Sequence, residues 1–168
     1  DVHIFPYGTS AEEIMSISPD GLFLTNGPGD PQEAAEGIET VKALVGELPI
    51  FGVCMGHQVL ALAMGGKTYK LKFGHRGGNH GVFDRESGRS FIVAQNHGYA
   101  VDGDSLIFKG MEMVYINLND MSVEGMKHRS LPLFSVQFHP EACAGPEDTN
   151  MLFDKFIGMM GENNAKGQ

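Results

Sequence analysis

Apolar and polar positions alternate along the first third of the chain with two different periods. Val2 to Phe5 is a short apolar run and predicts a strand. Ser10 to Ile17 predicts a short helix, with Ser10 as N-cap and Glu13 three residues on. Gly21 to Thr25 predicts a second strand, closed by the turn Asn26-Gly27-Pro28-Gly29-Asp30-Pro31. Between Gln32 and Glu47 the apolar residues Ala34, Ile38, Val41 and Val45 recur at helical spacing. Pro49 to Val53 predicts a third strand, and His57 to Met64 a helix ended by Gly65-Gly66. Strands alternating with helices imply a parallel sheet with helices on its faces. From Lys67 to Val136 the pattern changes. Thr68–Phe73, Phe91–Gln95, Val114–Leu118 and Leu133–Phe138 are short β-like runs separated by turn residues, which predicts an antiparallel extension or a mixed sheet. Asp148 to Met160 predicts a closing helix that buries Leu152, Phe153, Phe156, Met159 and Met160. The polar stretch 162–168 predicts a frayed tail, leaving one domain over 1–161.

Composition narrows the possible functions. The 168 residues carry 12 basic and 21 acidic side chains, a net charge of −9. An acidic surface argues against nucleic acid as the main partner. At 42% hydrophobic and 20% charged residues the chain is globular, not disordered. No apolar run approaches the ~18 residues of a membrane span, and no secretory leader is visible. The two cysteines, Cys54 and Cys143, make no disulfide scaffold, so a cytoplasmic setting is expected. The excess lies in glycine: the 23 glycines cluster at sharp turns beside predicted strand ends.

One such cluster carries chemistry. In Ile50-Phe51-Gly52-Val53-Cys54-Met55-Gly56-His57-Gln58 a strand runs through Gly-x-Cys-x-Gly into a helix. This is the nucleophile-elbow pattern with cysteine in place of serine. The alternative is a buried structural cysteine; the flanking glycines favour the nucleophile. The start of the helix is expected to favour the thiolate. His139-Pro140-Glu141 supplies the base. Proline keeps His139 extended, so His139 and Glu141 point to one side and the carboxylate can orient the imidazole. His57, three residues after Cys54, is a rival base, but within its own helical turn it has little freedom to reach the sulfur and reads as structural. The N–H groups of Met55 and Gly29 are candidate oxyanion donors, since adjacent parallel strands end on one edge. A metal site from His75, His80 and His97 is conceivable, but the spacing is irregular and no carboxylate partner is obvious. The residues alone indicate a cysteine-dependent acyl transferase.

The elbow and Phe138-His139-Pro140-Glu141 resemble the class I, triad-type glutamine amidotransferase domain. Gly66-Lys67-Thr68, the stretch Lys72 to His80 and the stretch Ala94 to Asp102 look like the glutaminase domain of carbamoyl-phosphate synthase small subunits. The resemblance implies a flavodoxin-like, open and mostly parallel sheet with helices on both faces and an antiparallel extension. It implies hydrolysis of L-glutamine through a Cys54 thioester, with His139 as base and acid and Glu141 as its orienter. Gly27, Gly29, Met55, Gln58, Asn96, Gly98 and Tyr99 match positions that hold the glutamine or its oxyanion. No cofactor is implied in this chain. ATP, magnesium and bicarbonate belong to a large synthetase subunit, the implied partner, and the carbamoyl phosphate feeds arginine and pyrimidine synthesis.

Two departures stand out. Gly81 stands where the family usually has proline after Asn-His, and little effect on catalysis is expected. The family's small N-terminal domain, which lends a serine to the glutamine site, and its first strand and helix have no counterpart in these residues. That strand would sit between Val2–Phe5 and Gly21–Thr25, so a gap in the sheet and low stability in isolation are expected. Alternatives are the glutaminase of another amidotransferase, or a non-catalytic docking or regulatory module of the same fold. Cys143 is given no role.

Overall fold

The computed structural model describes residues 1–142 and 149–166. Among the described residues seven strands form one sheet: β1 (Leu22–Leu24), β2 (Ile50–Val53), β3 (Lys67–Asp84), β4 (Ser90–Asp102), β5 (Met111–Asn117), β6 (Val123–His128) and β7 (Leu133–Val136). Their order is β1-β2-β7-β6-β4-β3-β5, and a further β5–β6 pairing closes the last four into a ring. β1, β2 and β7 are parallel, with Leu24 beside Gly52 and Gly52 beside Ser135. Every other pairing is antiparallel. The architecture is therefore α/β with a mixed sheet, and the expectation of a mostly parallel sheet is corrected. A parallel pair needs a crossover of about a dozen residues or more. Past Lys67 the links are short turns such as Arg85–Arg89, which permit only antiparallel neighbours.

Helices cover both faces of the parallel part. α2 (Ala35–Leu44) and α3 (Met55–Ala63) pack on one side, where Val41, Leu44, Val59 and Leu60 join Ile50 and Leu133. α4 (Met151–Lys166) covers the other, where Leu152 and Phe156 join Phe51, Phe134 and Val136. Phe51 stacks on Phe134 at 4.3 Å between ring centres, with Phe23, Phe153 and Phe156 around it. β2 is buried at every position because both of its faces are covered, which explains its unbroken apolar run. α1 (Ala11–Met15) is capped as predicted, Glu13 N–H donating to Ser10 Oγ at 3.2 Å.

Several boundaries differ from expectation. Val2–Phe5 forms no strand: none of the described residues pairs with it, and Val2 and Ile4 are 90% and 92% exposed. The gap expected between that segment and β1 does not arise, because the segment is no strand; among the described residues β1 is the outermost strand on that side. The helix expected over Gln32–Glu47 splits into a 3₁₀ turn, Pro31–Glu33, and α2, because Ala34 leaves helical geometry at ψ 41°. The run Thr68–Phe73 is only the start of β3, which crosses the glycine-rich stretch through register shifts after Lys70 and Gly77. β6 has no counterpart among the predicted strands; Glu124, Gly125 and Lys127 hide its pattern. α4 continues to Lys166 through residues expected to fray, and its predicted start at Asp148 lies outside the described residues. Among the described residues no helix is long and apolar enough to cross a membrane.

Candidate active site

β2 delivers Cys54 to the head of α3 in a strained conformation, φ 54° and ψ −104°. A non-glycine residue there costs of order 1–3 kcal/mol and persists only if its surroundings enforce it. Here they do. Cys54 N–H donates to the Val136 carbonyl at 2.9 Å, and Gly56 N–H donates to the Thr25 carbonyl at 3.1 Å. The turn is held between β7 and the loop after β1. Both flanking glycines are required: a Cβ on Gly52 would sit 2.7 Å from the Gly56 carbonyl oxygen, and one on Gly56 would strike the Leu24 backbone.

Cys54 is 4% exposed, with Sγ 4.0 Å from the Asn96 carbonyl oxygen. Burial pushes its thiol up to about 11; hydrogen bonds from the Met55 N–H and Gln137 oppose this, while the charge of Glu141 adds to it. The thiolate expected from the helix start is thus not the resting form, because desolvation outweighs the helix end. The proton must be removed during reaction.

His139 lies just past β7 and donates its N–H to the Ala94 carbonyl at 2.9 Å. Its Nδ1 is 2.8 Å from Glu141 Oε1, the side-by-side arrangement predicted from their spacing. Because Glu141 accepts, Nδ1 carries the proton and Nε2 is left as the basic atom. His139 and Cys54 therefore meet the same stretch of β4, Ala94 to Asn96. His57 is fully buried, bonds Ser135 Oγ at 2.9 Å and is driven down to about 3 by burial and then by His97, so it is a neutral structural ring.

The remaining candidates surround the elbow. Gly27 lies against Met55, at 3.4 Å from a Cβ built on it to Met55 Cγ. Gly29 adopts φ 97° with open space on its side-chain side. Gln58 Nε2 donates to the Tyr99 carbonyl and to Gln137 Oε1, each at 2.8 Å. Asn96 is exposed, and Gly98 and Tyr99 are half-buried. Burial and then the nearby Asp30 carboxylate push the Tyr99 hydroxyl up, which sets this stretch beside the loop of Gly27 and Gly29. Sequence reasoning missed Gln137 and Asp30. Gln137 is two residues before His139 on an extended segment, so the alternation that paired His139 with Glu141 could have found it; Asp30 carries no such signal. Cys143 lies outside the described residues.

Behind this site the imagined His75–His80–His97 metal cluster takes a different form. His75, His97 and Glu124 bring their ligand atoms within 4.8 Å of one another, and His80 is not among them. Separately, a surface groove of about 460 Å³ is lined by Gln32, Ile38, Leu62, Gly66, Lys67 and Thr68, none of them a candidate residue.

Comparison with known proteins agrees with this geometry. The family model for class-I glutamine amidotransferases matches residues 1–159. The carbamoyl phosphate synthase small chain of Clostridium acetobutylicum is 60% identical over 159 residues, covering 95% of this chain and 45% of that protein. The small chain of Fusobacterium nucleatum is 57% identical over 166 residues, 99% of this chain and 46% of its own. The chain thus spans about half the length of the curated relatives it matches. Among solved structures, a protein provisionally assigned to GMP synthase, from Thermoplasma acidophilum, superposes with a TM-score of 0.83 at 23% identity, covering 98% of this chain and 83% of that one. A glutamine amidotransferase from Thermotoga maritima gives 0.60 at 20%, covering 86% and 64%. At such identities these two establish the fold.

Proposed function

The chain belongs to the class-I glutamine amidotransferase family, and from that premise we propose that it is the glutaminase part of a glutamine-dependent carbamoyl phosphate synthase. The observation that carries this is that nucleophile and base lean on one stretch of β4: Cys54 Sγ faces the Asn96 carbonyl and His139 is bonded to that of Ala94. The names of the relatives supply the acceptor.

Cys54 gives its thiol proton to His139 Nε2 as sulfur attacks the side-chain amide carbon of L-glutamine. The N–H groups of Met55 and Gly29 stabilise the resulting oxyanion. The C–N bond breaks, and His139 returns the proton to the leaving nitrogen, releasing ammonia and a glutamyl thioester. Water, deprotonated by His139, attacks the thioester; glutamate leaves and the thiol is restored. Glu141 holds the imidazole tautomer throughout. Gly27, Gln58, Asn96, Gly98 and Tyr99 hold the substrate. Ammonia passes to a large synthetase subunit that uses ATP, magnesium and bicarbonate, in the cytoplasm, for arginine and pyrimidine synthesis. In this reading β1, β2 and β7 with α2, α3 and α4 are the flavodoxin-like half of the domain.

The test is intact-mass and peptide mapping after exposure to an electrophilic glutamine analogue, with Cys54→Ser alongside. A single adduct on Cys54, prevented by excess glutamine, is expected. Labelling elsewhere, or labelling that glutamine does not prevent, overturns the glutamine pocket.

A further inference from the structure

The closed ring of β3, β4, β5 and β6 holds ionisable side chains where a small barrel usually holds apolar ones. His75 on β3 is gripped from two sides. Its Nε2 lies 2.8 Å from Asp120 Oδ2, on the turn between β5 and β6. Its Nδ1 lies 3.0 Å from Gln95 Oε1 on β4 and 3.4 Å from Glu124 Oε1 on β6. Glu124 is fully buried, and its Oε1 accepts from Asn117 Nδ2 at 2.7 Å. The other rings facing His75 are His97 on β4, at 4.8 Å between ring centres, and His80 on its own strand, at 5.4 Å.

The donor count fixes the proton. Both ring nitrogens of His75 face oxygens, so both donate, and the ring is an imidazolium between two carboxylates. The bond to Glu124 carries His75 up to about 9 against the opposing effect of burial, and Asp120 adds to it. Burial works to raise the Asp120 carboxyl, but its bonds from Ser122 and His75 prevail and hold it low. His97 donates Nδ1–H to the Tyr99 carbonyl at 2.7 Å, and its Nε2 lies 2.7 Å from Gln95. Burial holds His97 below its usual range, so it stays neutral, edge-on to the His75 ring.

β4 separates this cluster from the candidate site. Successive side chains of a strand point to opposite faces. Gln95 and His97 are buried in the ring, whereas Asn96 between them is exposed and its carbonyl meets Cys54. The next residues, Gly98 and Tyr99, complete the stretch that binds Gln58 and His97. We propose that the Asp120–His75–Glu124 triad is a positioning device: one proton held on His75 fixes Gln95 and His97 from behind, and so sets the backbone of Asn96 to Tyr99 for the substrate. This rests on the reading of 96–99 as the substrate-holding stretch.

Histidine-selective nitrogen NMR on the full-length protein tests the triad directly. At pH 8 His75 is expected with both ring nitrogens protonated, and Asp120→Asn is expected to lower its deprotonation point by roughly one to three pH units. Asp120 sits at the rim, with its side chain 41% exposed, so this variant spares the buried partners. Kinetics then test the coupling. Asp120→Asn is expected to raise the glutamine KM on the order of 10- to 100-fold with kcat nearly unchanged, and Asp120→Glu to restore much of it. In the unsubstituted protein, KM should rise with pH as His75 loses its proton. A neutral His75 at pH 8 overturns the proposal, as does a stoichiometric zinc ion whose removal by chelator leaves His75 neutral. An unchanged KM in Asp120→Asn overturns the coupling, provided Asn96→Ala raises KM. If Asn96→Ala also leaves KM unchanged, the substrate reading of 96–99 has failed, and the positioning role falls with it while the NMR result stands on its own.

Discussion

The backbone N–H of His139 donates to the carbonyl of Ala94 at 2.9 Å, across the end of β7 to the middle of β4. Two residues along β4, the Asn96 carbonyl lies 4.0 Å from Cys54 Sγ. The base and the nucleophile come from segments far apart in sequence. One short length of strand, contributed by the antiparallel ring, sets where each of them sits. The parallel part of the sheet raises the elbow, and the ring aligns it.

If these two groups work as nucleophile and base, each is indispensable. Cys54→Ser and His139→Asn are each expected to lower glutamine hydrolysis by a factor on the order of 10³ or more, because residues acting as a unit fail together. Glu141→Gln should cost less, since Glu141 only orients the ring and its side chain is 49% exposed. Steady-state ammonia release, with circular dichroism to verify folding, measures all three.

The buried thiol makes a prediction of opposite sign at Glu141. Cys54 titrates near 11, so its alkylation rate by iodoacetamide should climb about tenfold per pH unit from 7 to 9 without levelling off. Glu141→Gln removes a charge that raises the thiol. The variant should therefore alkylate faster at a given pH while hydrolysing glutamine more slowly. Slower alkylation would contradict the electrostatic account of the site.

Glycine has different meanings at two positions. A methyl on Gly56 meets the Leu24 backbone, which cannot rotate away, so Gly56→Ala should destabilise by roughly 2–3 kcal/mol or more. A methyl on Gly158, inside α4, meets nothing within 4 Å. Gly158→Ala should stabilise by about 0.5–1 kcal/mol through helix propensity alone. Urea denaturation of the two variants separates the effects.

His57 predicts the acid side of the stability curve. Its folded value of about 3 lies below its unfolded 6.5, so the unfolded chain binds the extra proton more readily. The stability this ring contributes is complete above pH 6.5 and is lost as pH falls toward 3. Thermal melts from pH 7 to 4 should show Tm declining, and His57→Asn should flatten that decline. An unchanged slope would mean that other groups govern acid unfolding.

Much of this was legible in the sequence where local rules suffice. The elbow glycines announce Cys54 because a strained turn tolerates little else, and the proline after His139 forces the extended geometry that sets it beside Glu141. The parallel strands β2 and β7 are legible because strands buried on both faces read as mostly apolar runs, and β1, half-exposed at the end of the sheet, is legible as the apolar run Leu22–Leu24 before its turn. The ring was legible only in part: Thr68–Phe73, Phe91–Gln95 and Val114–Leu118 mark stretches of β3, β4 and β5 in an antiparallel extension, but the closure and β6 are not marked. Its strands carry Gln95, His97, Asn117 and Glu124 inward, so the alternation that marks a strand by its apolar face is absent, and β6 is hidden with it. The carboxylate missing from the histidine cluster was Glu124, which lies far along the chain and reaches His75 only when the ring closes. Val2–Phe5 shows the converse limit, since an apolar run becomes a strand only beside a ladder partner.

The phenylalanine stack beneath α4 has a practical consequence for spectroscopy. The chain contains no tryptophan, and Phe23, Phe51, Phe134, Phe153 and Phe156 emit too weakly to report their own packing. Phe153 is partly buried and touches both Phe23 and Phe51, so a Phe153→Trp substitution would add one bright, well-placed emitter. Its fluorescence would follow the docking of α4 on the parallel strands, while the tyrosines of β3, β4 and β5 follow the ring. Two colours would then tell whether the halves of this domain melt together or one before the other.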